Sequence, residues 1–238
     1  MLKVKIEVWS DYVCPFCYIG KRQLEKAISE SGYAEQIEVT YKSFLLDPTT
    51  PESAEGSVYE SLSKKFGSSI EEVKKMTAGV AARANEVGLN YNFDEMKAAN
   101  TVKAHLLTKW VEAKDKQLGA KFTERLLQAY FLEGKAIGKV DELLLLVEEL
   151  GLNVEEARSV IENRQYMADV DQDIYEAQQI GVRGVPFFVF NNKLGISGAQ
   201  PQGLFEQTIE KAAQDEGLKK KIQIVSEGQV CTDGQCEI

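Results

Sequence analysis

Within its first 46 residues the chain changes hydrophobic period twice, and that change constrains the fold more than any other feature. Residues 3–9, KVKIEVW, alternate polar and apolar, so Val4, Ile6 and Val8 share one face of a strand. The stretch SDYVCPFC breaks the alternation, and Phe16, Ile19, Gly20, Leu24, Ala27 and Ile28 then recur at helical spacing. Pro15 suits the first helical position, where a missing N–H leaves nothing unpaired. Gly32 suits the stop. QIEVTYKSFLL alternates again through Ile37, Val39 and Tyr41. The order is β-α-β, with Cys14 and Cys17 at the strand-to-helix junction.

Residues 47–57, DPTTPESAEGS, read as a linker. From there to about Gly181 the pattern is helical almost throughout. Ser69 with Glu72, and Asn153 with Glu156, have capping-box spacing. Leu143, Leu144, Val147 and Leu150 form an apolar stripe, and Trp110, Leu126, Leu127, Tyr130 and Phe131 are candidate core residues. MADVDQDIYEAQQIG is a last helix ending at Gly181. Phe187 to Phe190 then reads as a strand, Asn191-Asn192 as a turn, and Lys193 to Ser197 as a second strand. PQGLFEQTIEKAAQ reads as a closing helix with Leu204, Phe205 and Ile209 on one side. A polar tail follows Gly217. The expectation is an α/β domain, residues 1–46 and 182–216, split by a helical insertion over 57–181 and followed by a tail over 217–238.

Composition excludes some functions. With 28 Lys and Arg against 37 Asp and Glu, the net charge is −9. A chain this acidic, without a basic run, is a poor match for nucleic acid or an anionic membrane. No apolar run of roughly 18 residues exists to span a bilayer, and MLKVKIEVWSDY is not a secretory signal. The expected location is therefore the cytoplasm. Four cysteines there point to redox, catalytic or metal-binding chemistry rather than structural staples.

CPFC admits three readings: a redox pair, half of a zinc site, or two buried fillers. Residues three apart on a helix have Cβ atoms about 5–6 Å apart, which a small adjustment brings into disulfide reach. A helix N-terminus carries partial positive charge and unpaired N–H groups, and both favour a thiolate at Cys14. Cys17, one turn further in, is the resolving thiol in that cycle. The only other cysteine pair, Cys231 and Cys236, has four residues between its members, a poor complement for zinc. Placement at a β-to-α junction favours the redox reading, and no metal is expected.

SDYVCPFCYIGK after a short strand, GVPFFVF late in the chain and the helical stretch between them resemble the DsbA-like thioredoxin-fold oxidoreductases. The cytosolic FrnE-like branch, related to the 2-hydroxychromene-2-carboxylate isomerases, is the nearest. The resemblance runs from about Val4 to Ala213. It implies a thioredoxin fold with a large helical domain inserted after the first β-α-β unit. It also implies a cis-proline at Pro186 facing the cysteines, with Val185 offering backbone groups to an extended substrate; a proline at a strand's first residue is the plainer reading. Trp9 and Phe16 are expected to line the groove, although aromatic packing explains them equally well. Asn100-Thr101 and Ala104-His105 resemble a pattern of the same branch. His105 either looks toward the cysteines, as a modulator of Cys14 or proton shuttle, or sits at the rim bonded within the insertion. Asp233-Gly234 centres a turn between Cys231 and Cys236, which some FrnE-like proteins resemble in carrying a C-terminal pair. That pair is either an auxiliary redox couple or a tail oxidised incidentally.

The expected activity is thiol–disulfide exchange, with disulfide isomerisation as an extension, on proteins or on low-molecular-weight thiols. Glutathione is a candidate co-substrate, and no bound cofactor is expected. A glutathione-dependent isomerase of small ring compounds is the rival enzyme class, but those isomerases carry serine where this chain has Cys14. A non-catalytic peptide-binding module is the third reading.

Overall fold

The computed structural model describes residues 3–52 and 56–220, together with the backbone of 231–232 and 235–236. β1 (Val4–Ser10) leads into α1 (Pro15–Glu30), and β2 (Ile37–Ser43) returns parallel to β1 with Val4 opposite Ile37 and Ser10 opposite Ser43. Seven helices follow: α2 (Val58–Phe66), α3 (Ile70–Asn85), α4 (Val102–Lys114), α5 (Lys116–Phe131), α6 (Val140–Glu149), α7 (Val154–Glu162) and α8 (Met167–Gln179). The hairpin β3 (Phe187–Phe190) and β4 (Leu194–Ser197) and helix α9 (Gln202–Asp215) complete the fold. The sheet order is β2-β1-β3-β4, with β1 antiparallel to β3 and β3 antiparallel to β4.

β1 is a central strand whose Val4, Ile6 and Val8 face is buried, while on the opposite face Trp9 is buried and Lys5 is exposed. Val4, Ile6 and Val8 pack with Leu24 and Ala27 of α1 and with Phe205 and Ile209 of α9. Trp9 points the other way, against Ala177 of α8 and Val182. The hairpin turns at Asn191 and Asn192 (φ 50° and 55°), the left-handed pair that matches strand twist and that asparagine tolerates. At Gly20, an added Cβ would stand 3.0 Å from the Phe188 ring and 3.2 Å from the Pro186 ring. Its missing side chain lets α1 lie directly on the start of β3.

Some local expectations change in detail. Ser69 and Glu72 form the full capping box. Asn153 accepts from the Glu156 amide, but the Glu156 carboxylate turns away to Trp110 Nε1 (3.1 Å) and Lys114 (2.8 Å). Leu204 is exposed, and Ala212 and Ala213 take the inward face of α9 with Phe205 and Ile209. The start of the expected tail is docked: Leu218 packs against the α1–α9 core, and Gln36 donates to the Lys219 carbonyl at 3.1 Å. Cys231 and Cys236 are register partners in a two-residue antiparallel ladder, β5 (Cys231–Thr232) with β6 (Gln235–Cys236). Their side chains lie outside the described residues. None of the described helices is long and apolar enough to cross a membrane.

Candidate active site

Cys14 is the N-cap of α1, with extended backbone (φ −89°, ψ 110°) and Pro15 opening the helix. The turn before it is held from both ends. The Asp11 carbonyl accepts the Cys14 amide at 3.2 Å. The buried Asp11 carboxylate accepts the amides of Tyr12 and Leu46, each at 2.7 Å. The Cys17 amide closes on the Cys14 carbonyl at 3.0 Å. The helix geometry thus presents one thiol at the mouth of α1 and places the other a turn deeper.

The opposite wall is Val185-Pro186, joined by a cis peptide bond. The Cys14 thiol donates to the Val185 carbonyl at 3.4 Å. Pro186 is buried, and its carbonyl accepts the Gly198 amide at 2.8 Å, which ties the loop to the end of β4. Two segments 171 residues apart therefore meet at the Cys14 sulfur.

Cys14 and Cys17 are both free thiols and each is 3% exposed. Burial pushes the Cys17 thiol well above its ordinary value, and the neighbouring Cys14 adds to this; the Ser10 hydroxyl and the Asp11 amide pull the other way. A thiol held protonated does not compete for the first attack, so the pair is asymmetric.

Phe16 is half-buried at the outer edge of the cysteine turn, under the guanidinium of Arg83. Trp9, expected in the groove, is 2% exposed and its indole donates to the Asp173 carbonyl at 2.8 Å. As an odd-numbered residue of β1 it faces α8, so it belongs to the seam between sheet and insertion and not to a substrate wall. His105, expected to face the cysteines or to sit at the rim, does neither. It is 3% exposed, with Nε2 at 3.3 Å from Asp11 Oδ1 and its ring centroid 4.7 Å from that of Tyr12. Its link to the cysteines runs through Asp11 and the turn that carboxylate holds. Among the described residues, no three His, Cys, Asp or Glu side chains converge as a metal site requires.

Two positioning residues have no signal in the sequence. Asp11 reads as an ordinary turn residue. Tyr91, in the loop between α3 and α4, donates its hydroxyl to the Pro15 carbonyl at 2.7 Å, inside the CPFC motif. Its ring stacks on Phe131 with centroids 4.7 Å apart. Neither a period nor a motif marks a lone tyrosine 76 residues from its acceptor.

The whole constellation has relatives. The model of the DSBA-like thioredoxin domain matches residues 5–210. The uncharacterized protein YwbO of Bacillus subtilis (strain 168) is 30% identical over 225 residues, covering 92% of this chain and 100% of that one. A probable DsbA oxidoreductase, SCO1869 of Streptomyces coelicolor, is similar in structure at TM-score 0.83 and 30% identity, with 99% of each chain covered. The cytosolic disulfide reductase DsbM of Pseudomonas aeruginosa, solved with GSH, is similar at TM-score 0.57 and 18% identity over 90% of this chain and 98% of that one. A 2-hydroxychromene-2-carboxylate isomerase is similar at TM-score 0.65 and 16% identity, over the same shares. At such identities the last two likenesses describe the fold alone. The match over most of the chain agrees with the cysteine turn and its opposed cis-proline wall: the chain belongs to the DSBA-like thioredoxin domain family.

Proposed function

We propose that the protein is a cytoplasmic thiol–disulfide oxidoreductase in which Cys14 is the nucleophile and Cys17 the resolving thiol. Val185 and Pro186 form the wall along which the substrate lies. One observation carries this reading: a thiol at a helix N-cap, 3.4 Å from the carbonyl preceding a cis-proline, with its partner buried one turn behind. Cys14 attacks a substrate disulfide and forms a mixed disulfide. Cys17 then attacks the Cys14 sulfur and releases the second substrate thiol; the reverse sequence oxidises a substrate dithiol. The substrates are disulfides of proteins or of low-molecular-weight thiols such as glutathione. Cys231 and Cys236 supply a second dithiol to exchange with the first pair.

Cys17→Ser tests the assignment, since it removes resolution and leaves attack. Incubated with disulfide substrates, it is expected to accumulate mixed disulfides through Cys14, seen as mass additions lost on reduction, whereas Cys14→Ser accumulates none. If neither cysteine reacts with a mild alkylating agent at neutral pH, the site is a peptide-binding groove and not a redox centre. Capture of glutathione alone, never of protein, restricts the substrates to small thiols.

A further inference from the structure

A cation with no ion-pair partner among the described residues stands at the outer edge of the cysteine turn. Arg83, in the last turn of α3, lays its guanidinium over the Phe16 ring, 5.0 Å from the centroid. Its Nη2 donates to the Ala199 carbonyl at 3.3 Å. Phe16 lies between the two cysteines. Ala199 follows Gly198, whose amide is bonded to the Pro186 carbonyl at 2.8 Å. One side chain of the insertion thus spans both walls of the site, the CPFC turn and the loop that braces the cis-proline.

Of the six arginines of this chain, Arg22, Arg125 and Arg164 hold ion pairs. Arg83 makes none with the described residues, not even with Glu86, the C-cap three positions on, and it is exposed. A guanidinium carries five N–H donors in a planar fork suited to a carboxylate. The Ala199 carbonyl uses one of the nitrogens, and stacking on Phe16 holds the plane. The remaining donors have no acceptor among the described residues and stand beside the cysteine turn, in a molecule of net charge −9. In such a field a pre-oriented local cation discriminates between substrates of different charge.

We propose that Arg83 binds a carboxylate on the substrate, so that the enzyme prefers disulfides bearing a carboxylate a few bonds from the sulfur. Glutathione disulfide and a disulfide flanked by acidic residues in a protein share that chemistry. The inference rests on the exchange reaction proposed above and adds the substrate class. The reaction balances with the reduced protein as sole reductant. Cys14 forms a bond to one substrate sulfur as the substrate S–S bond breaks and the first thiolate leaves. Cys17 forms the Cys14–Cys17 bond and expels the second. The dithiol supplies two electrons, and its two protons end on the released thiols.

The test compares rates of Cys14–Cys17 disulfide formation in reduced wild type and Arg83→Gln. The oxidants are glutathione disulfide, bis(2-hydroxyethyl) disulfide, which has no carboxylate, and a pair of peptide disulfides flanked by Asp or by Asn. The quantity read is the ratio of the acidic to the neutral rate within each preparation, which cancels any general loss of activity. Arg83→Gln is expected to lower that ratio about fivefold, the scale of one partly exposed charge pair. Added salt is expected to lower the wild-type ratio in the same direction. A drop confined to glutathione disulfide assigns the carboxylate to small thiols, and a drop confined to the peptides assigns it to proteins; either supports the proposal. A ratio unchanged in both sets overturns it, since Arg83 then only braces Phe16. A wild type that reacts with none of the four disulfides overturns the exchange reaction itself, and this failure shows without the variant.

Discussion

In the proposed exchange cycle, Cys17 has to give up a proton that its surroundings make it keep. Burial is the largest influence raising its thiol, followed by the hydrogen bond and charge of Cys14, while the Ser10 hydroxyl and Asp11 amide favour the thiolate. Once Cys14 is tied up in a mixed disulfide, its charge is gone. Burial then stands against those two donors alone. The resolving step needs the thiolate, so its rate is expected to rise with pH from neutrality upward, because burial, the largest influence on Cys17, still favours the protonated thiol. Ser10→Ala removes one of the two favourable donors, which moves the rise to still higher pH. A hydrogen bond to a charged acceptor of roughly 1.5 kcal/mol corresponds to about tenfold slower resolution at neutral pH. Single-turnover decay of a chromogenic mixed disulfide on Cys14, followed across pH, checks this; an unshifted profile removes Ser10 from the step.

Helix α1 carries the cysteines at one end, and its position is fixed from two sides. Against the sheet, Gly20 permits the close seat on Pro186 and Phe188. Against the insertion, Glu124 of α5 accepts from Tyr18 Oη and Lys21 Nζ, each at 2.6 Å, and pairs with Arg22 at 2.5 Å. Those three residues fall on one stripe of α1, and Lys21 is 5% exposed. Burial alone would raise the Glu124 carboxyl, but Lys21, Tyr18 and Arg22 together leave it below its ordinary 4.5. A carboxyl lowered on folding stabilises above its unfolded value, and that contribution is lost as pH falls through the folded value. Glu124→Gln is therefore expected to destabilise by about 1–2 kcal/mol near neutral pH, allowing for partial exposure and for the Glu25 partner that Lys21 keeps. The deficit should close as pH falls below about 4.5. Urea unfolding at neutral and acid pH reads both values; a deficit independent of pH would assign the effect to packing. The elements themselves were legible in the sequence, because β1, α1, the hairpin and α9 are written as local periods with turn residues between them. The joints were not. Tyr91 to Pro15, His105 to Asp11 and Glu124 to α1 connect positions 76 to 106 residues apart. A single sequence records no contact across such distances unless a family pattern marks it, as one did for Pro186.

At the scale of the molecule, the insertion is not a module hung on a finished domain. Tyr12, Tyr18 and Ile19, from the turn before α1 and from α1 itself, belong to the same continuous core as Trp110, Phe122, Leu126 and Phe131 of α4 and α5. On the other side of the sheet, one residue of α8 joins three elements. Asp173 accepts the Ser43 amide at 2.7 Å, pairs with Lys109 of α4 at 2.6 Å, and takes the Trp9 indole on its carbonyl. Removing the insertion would strip the reactive turn of Tyr91 and of the His105 partner of Asp11, and would open Tyr12 and Tyr18 to water. Such shared burial couples unfolding, since neither part keeps its apolar area covered after the other melts. The two tryptophans stand on either side of this coupling: Trp9 at the sheet–α8 seam and Trp110 inside the insertion. Trp9→Phe and Trp110→Phe each leave one fluorescent reporter. The two remaining reporters are expected to give coincident denaturant midpoints with far-UV circular dichroism, each taken relative to its own variant. A Trp110 midpoint lying below the Trp9 midpoint, each taken against its own backbone signal, would mean that the thioredoxin half holds its cysteine turn without the helices, and the positioning roles of Tyr91 and His105 would fall with that result.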